Sequence, residues 1–113
     1  MPNAPKQFIG RQRSRPRSRQ DRGYDDAWLC IAARHNEWFP LCAKCERAGL
    51  VVVAEHADHV GPFKGMHDKR RLDPMNVQSL CATCNSAKKG NTVDYRTDAE
   101  RARQAALLGI EPG

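Results

Sequence analysis

Hydrophobic and polar positions follow different rules in successive stretches of the chain. From Met1 to Gly23 no apolar period of 3.6 or 2 exists, so no packed element is expected there. At Asp25 the pattern changes. Trp28, Ile31, Ala32 and His35 recur at helical spacing behind Asp25 and Asp26, acids suited to a helix start, and predict a helix from about Asp25 to Glu37. Pro40 ends that region, and Ala48-Gly49 turns the chain again. The apolar run Leu50-Val51-Val52-Val53-Ala54 is the most β-like in the chain. It is expected to continue through Glu55 to Val60 as one strand or a bent pair. Residues 61–75, with Gly61, Pro62, Gly65 and Pro74, read as a loop longer than the usual connection. Asn76 to Leu80 predicts a short second strand, residues 82–90 a short helix ended by Gly90, and Asp98 to about Leu108 a last helix capped by Thr97. Ala102, Ala105, Ala106 and Leu107 on that helix are expected to pack against the domain.

Size and charge narrow the picture. With 113 residues the chain is one domain's worth of polypeptide, and a core that small is stable mainly when something reinforces it. No window reaches the ~18–20 apolar residues of a membrane span, and no apolar signal region opens the chain. A soluble, cytoplasmic protein without membrane contact is therefore expected. The 19 Lys and Arg outnumber the 13 Asp and Glu, but unevenly. Seven bases, six of them arginines between Arg11 and Arg22, and one acid lie before Asp25, so the remainder is neutral. The expected organisation is a disordered basic tail over residues 1–23 and one folded domain over 24–113. Such a tail is suited to a polyanion, nucleic acid first among them; a merely solubilising tail is the plain alternative.

Four of the five cysteines form two pairs, Cys42-x-x-Cys45 and Cys81-x-x-Cys84. Two-residue gaps let both thiolates of a pair face one ion, and two pairs complete a tetrahedral zinc site. The 35 residues between the pairs exceed a simple ribbon loop, so the metal is expected to staple two ends of a larger unit. Cys30, in a helical stretch, reads as a small buried hydrophobe rather than a reactive thiol. Between and beside the pairs stand Asp58-His59, Asn76 and Asn85. A carboxylate suits Mg2+ or Mn2+, a neutral imidazole suits proton abstraction from water, and an amide can orient that imidazole or offer an oxygen. His56 lies two residues before Asp58 and shares its strand face, either as a supplementary ligand or as an exposed histidine. Asp58 and His59 are neighbours and cannot face one point from a regular strand, so the strand is expected to twist or end there.

These residues resemble the HNH endonucleases, a family with a ββα-metal fold. The resemblance rests on Cys42-Ala43-Lys44-Cys45, Ala57-Asp58-His59-Val60, Asn76 through Cys81, and Ala82-Thr83-Cys84-Asn85-Ser86-Ala87-Lys88. The stretch from Tyr24 to Pro40 is similar to small phage and prophage members. The resemblance implies an α+β fold, with the ββα motif stapled by a four-cysteine zinc site and flanked by N- and C-terminal helices. It also implies a metal-dependent DNA endonuclease that nicks duplex DNA with weak sequence preference. His59 is then the general base, Asp58 and Asn85 ligands of a catalytic Mg2+ or Mn2+, and Asn76 the residue that orients the base or braces the loop. The family commonly has a histidine where Asn85 stands, which makes this an H-N-N variant. Lys88 corresponds to a lysine expected on phosphate, and Lys89, Lys64, Lys69, Arg70 and Arg71 extend the DNA-binding set. Phage packaging proteins are conceivable partners, and RNA stays open as a substrate. The alternative is a zinc-stabilised module that binds nucleic acid without cutting it.

Overall fold

The computed structural model describes residues 24–110. The basic tail expected over residues 1–23 lies outside them. Seven elements follow in order: α1 (Asp26–Trp38), α2 (Ala43–Arg47), β1 (His56–His59), a 3-10 turn (Lys69–Arg71), β2 (Val77–Leu80), α3 (Ala82–Lys88) and α4 (Asp98–Leu108). The chain is α+β, and β1, β2 and α3 make a ββα unit. None of the described helices is long and apolar enough to cross a membrane.

Both longer helices begin as their sequences dictate. The Asp25 carboxylate accepts from the Trp28 N–H at 3.2 Å, and the Thr97 hydroxyl accepts from the Glu100 N–H at 3.1 Å. At the far end of α4, Gly109 takes a φ of +74°, a left-handed cap that a side chain would resist. α1 lays Trp28 and His35, two turns apart, against the sheet.

The two strands pair antiparallel, with His56 opposite Leu80, Asp58 opposite Gln78 and His59 opposite Val77. Here the structure corrects the sequence reading. Leu50 to Ala54 is extended but joins no sheet; it forms a single bridge, Leu41 to Val53, beside the first cysteine pair. Val52 turns inward against the cysteine cluster, while Val51 and Val53 are 81 % and 68 % exposed. Apolar alternation here serves the rim of a metal knuckle, and β1 starts only at His56.

All four residues of β2 are buried, polar ones included. Ser79 is spent on the Phe39 carbonyl at 2.6 Å, which ties the sheet to the end of α1. Buried Arg96 donates to the Met75 carbonyl at 2.7 Å and to Gln104 Oε1 at 3.0 Å, fastening α4 beneath β2. The core is correspondingly thin in hydrocarbon, and its centre is Leu80 among Cys42, Cys81 and Cys84.

His35 is the exception to this polar satisfaction. Its ring stacks on Phe39 at 4.9 Å, and its buried Nε2 has no hydrogen-bond partner among the described residues. Burial, then the nearby Arg96 and Arg34 charges, push its pKa down to about 4. An unfolded chain takes up a proton on this residue near pH 6.5 and the folded one only near 4. Stability is therefore complete above pH 6.5 and falls through that window by about 3 kcal/mol. Melting temperatures measured from pH 7 to 4 should show this decline, and His35→Phe should flatten it.

Candidate active site

The two cysteine pairs are built alike. Cys42 and Cys81 occupy the cap positions before α2 and α3, and Cys45 and Cys84 follow one turn inside those helices. That spacing folds each second thiol back beside the first. All four sulfurs lie within 4.8 Å of one another, with Cys45 Sγ 4.0 Å from Cys81 Sγ and 3.7 Å from Cys84 Sγ. Four thiolates held at ~2.3 Å by one tetrahedral zinc sit about 3.8 Å apart, so the cluster fits that ion. Although burial opposes ionisation, the N–H groups of Cys45 and Cys81 bring the Cys42 thiol down to about 7. Burial and then the neighbouring sulfurs push Cys84 up to about 12. Ionising all four thiols together in this space would take a cation among them. Cys30 corrects the sequence reading: it lies on α1 but is exposed, not buried.

Asp58, His59, Asn85, Lys88, His56 and Trp28 are among the residues that line a cavity of about 720 Å³. Asp58 and His59 both line it, at the end of β1. Asp58 turns toward α3. There its Oδ2 accepts from Gln78 Nε2 at 3.0 Å and pairs with Lys88 Nζ at 3.2 Å. Neither contact uses Oδ1. Asn85, one turn before Lys88 on α3, lines the same cavity and can offer its carboxamide oxygen. A carboxylate oxygen and an amide oxygen are donors of the type a hard divalent cation that keeps several waters takes.

His59 is held by α1 and the loop. Its ring stacks on Trp28 at 3.9 Å with an interplanar angle of 22°, and Phe63 leans on it at 4.8 Å. His59 Nε2 lies 2.9 Å from the Arg71 carbonyl oxygen. A carbonyl only accepts, so Nε2 carries the proton and Nδ1 is left as the basic nitrogen. Burial pushes the His59 pKa below its ordinary value, against the opposing pull of the Arg71 carbonyl and the Asp58 charge. The imidazole is thus neutral at neutral pH.

Asn76 does not enter the cavity. Its amide donates to the Gly61 and Arg70 carbonyls at 2.9 and 3.0 Å, and its oxygen accepts from the Gly61 N–H at 2.8 Å. These bonds tie Gly61 to Arg70 across the long loop, and none of the hydrogen bonds among the described residues joins Asn76 to the His59 ring.

The expected phosphate contacts divide. Lys88 is a correction: its side chain is 2 % exposed, and Nζ donates to the His59 carbonyl at 2.9 Å besides pairing with Asp58. Its Nζ is committed to Asp58 and the His59 carbonyl at the wall of the cavity rather than to the exposed surface. Arg71 is the second correction. It is buried, with Nη1 on the Asp25 carboxylate at 3.1 Å and Nε on the Met66 carbonyl at 3.0 Å. It links the cap of α1 to the loop whose carbonyl holds His59. Arg70 is exposed but forked onto Asp68, at 2.7 Å in its shorter contact. Lys64, Lys69 and Lys89 are exposed, as is His56.

Trp28, Phe63 and Gln78 are site residues that sequence reasoning missed. Trp28 carried a signal only as part of an apolar helix face. For Gln78 the available hint was a polar residue in a strand that leads directly into a buried cysteine.

Residues 42–91 match the HNH endonuclease family. That HNH segment takes in both cysteine pairs, β1, β2 and α3, together with Asp58, His59, Asn76 and Asn85. α1 and α4 fall outside it, so the Trp28 wall against His59 is supplied from beyond the HNH segment. Searches of curated proteins and of solved structures returned no match.

Proposed function

We propose that the protein is an endonuclease that hydrolyses phosphodiester bonds of duplex DNA, nicking one strand per event with weak sequence preference. The observation that carries this reading is the shared cavity, which Asp58, Asn85 and His59 all line within an HNH segment, with Asp58 Oδ1 outside the Lys88 and Gln78 contacts and His59 Nε2 on a carbonyl. Zinc on the four cysteines is structural. Mg2+ or Mn2+ held by Asp58 and Asn85 would neutralise charge on the scissile phosphate and on the departing oxygen.

His59 Nδ1 takes a proton from a water, whose oxygen attacks phosphorus as the P–O3′ bond breaks. The 3′ oxygen picks up a proton from solvent and the new phosphate stays on the 5′ end. The Arg71 carbonyl, already on Nε2, stabilises the imidazolium that forms and keeps the ring from turning. Trp28 excludes water from one ring face. Lys64, Lys69, Lys89 and Arg70 are exposed; on the DNA backbone they would give affinity without reading bases.

Supercoiled plasmid incubated with Mg2+, Mn2+ or EDTA tests the reading. Nicked circle that accumulates only with the divalent ion is expected. DNA bound with no conversion in any metal would instead identify a non-catalytic zinc module. The basic tail makes a separable prediction. If its seven bases neutralise phosphates, deleting residues 1–23 should flatten the log–log salt dependence of DNA binding by up to about 6 units. An unchanged slope would remove the tail from the DNA interface.

A further inference from the structure

Lys88 and Gln78 are harder to explain by stability than by function. Burying an ammonium and a primary amide in so thin a core is costly unless each finds partners, and a methionine and a leucine would pack there more cheaply. Both converge on a single atom, Asp58 Oδ2.

Gln78 is 0 % exposed and stands opposite Asp58 in the strand register. Its Oε1 accepts from the Tyr95 N–H at 2.9 Å, which fixes which end of the amide is which. Nε2 is then committed, to the Val93 carbonyl at 2.8 Å and to Asp58 Oδ2 at 3.0 Å. Lys88 is one helical turn beyond Cys84, so the cysteine cluster that anchors α3 also sets where this ammonium arrives. There Nζ bonds the His59 carbonyl and Asp58 Oδ2 together. One cation thereby fixes the backbone of the base and the side chain of the neighbouring carboxylate.

We propose that Lys88 and Gln78 are positioning residues that reserve Asp58 Oδ2 for the protein, leave only Oδ1 for a divalent cation, and thereby select against Ca2+. The proposal rests on the endonuclease reading above. A positive charge and an amide proton on Oδ2 prevent a second cation from using both oxygens. Mg2+ and Mn2+ are satisfied by one carboxylate oxygen and several waters, whereas Ca2+ gains from bidentate carboxylates and higher coordination number. With the clamp in place, Ca2+ loses the mode that favours it.

The test uses the full-length, zinc-loaded protein without nucleic acid. Mn2+ binding is followed by electron paramagnetic resonance and Ca2+ by competition. Lys88→Met should raise Ca2+ affinity relative to Mn2+ by tenfold or more, and Gln78→Leu should move the ratio in the same direction. A ratio unchanged in a variant that keeps its zinc would overturn the proposal. The wild-type protein supplies a readout independent of any substitution. The Lys88 ammonium should give a slowly exchanging 15N–1H resonance that persists when Mg2+ is added; its absence, or its loss on adding Mg2+, would also overturn the proposal. Plasmid nicking by the wild type is scored separately, so a nuclease with an unaltered ratio sinks the clamp alone. An altered ratio in a protein that cuts nothing sinks the nuclease reading alone.

Discussion

His59→Ala is expected to lower plasmid nicking by ~10²–10⁴-fold, the usual worth of a positioned general base. DNA binding and zinc content should be retained, because neither depends on the imidazole. Stability will not be untouched. The ring is buried between Trp28 and Phe63, so truncation leaves a cavity and costs about 3 kcal/mol, to be checked as a lowered melting temperature. His59→Gln, which fills more of that space, should recover melting temperature without recovering nicking. The pH profile of the wild type gives the same assignment a second reading. Rate requires the neutral imidazole, and burial lowers the His59 pKa, so the acidic limb should fall below pH 6.5, with a plateau already reached at neutrality. A limb centred above that value, or full activity in either variant, would remove His59 as the base.

Removing zinc is expected to unfold the described domain. The thiols are the centre of the core, and their helices α2 and α3 are 5 and 7 residues long, too short to persist alone. Loss of the shared cation leaves buried thiols with pKa values spread from about 7 to about 12, which cannot be ionised together. The free energy at stake is on the order of 10 kcal/mol, the apparent binding energy of structural zinc. A strong chelator, or Cys84→Ser, should therefore abolish the near-ultraviolet circular dichroism and the protection of amides in β1 and β2. Milder chelation that strips only Mg2+ or Mn2+ should stop nicking and leave the fold intact. The separation of these two losses distinguishes a structural ion from a catalytic one.

Local chemistry made much of this legible in the sequence. The cysteine spacing located the metal cluster because ligand geometry is set within one helical turn. Asp25 and Thr97 announced α1 and α4 because capping is a contact over three residues. The chain order of Asp58, His59 and Asn85 pointed to residues that do line one cavity. What failed depended on contacts distant in the chain. Leu50 to Ala54 has strand composition, but its neighbour Pro40–Cys42 turns it into the wall of a knuckle. Lys88 and Arg71 read as surface charges, and their inward direction follows only from how α3 and the long loop dock. Trp28 belongs to a helix outside the HNH segment, so nothing local tied it to His59. Charge counts cannot separate a phosphate contact from a buried clamp, since both use the same residues.

The most direct measurement is anomalous scattering from crystals of the zinc protein soaked in Mn2+, collected on both sides of the zinc and manganese edges. Zinc should appear among Cys42, Cys45, Cys81 and Cys84. A separate manganese peak should stand beside Asp58 Oδ1 and the Asn85 amide, in the hollow faced by His59 Nδ1. Manganese absent from that hollow at saturating concentration, or bound elsewhere without Asp58, would contradict a one-cation catalytic centre on this chain.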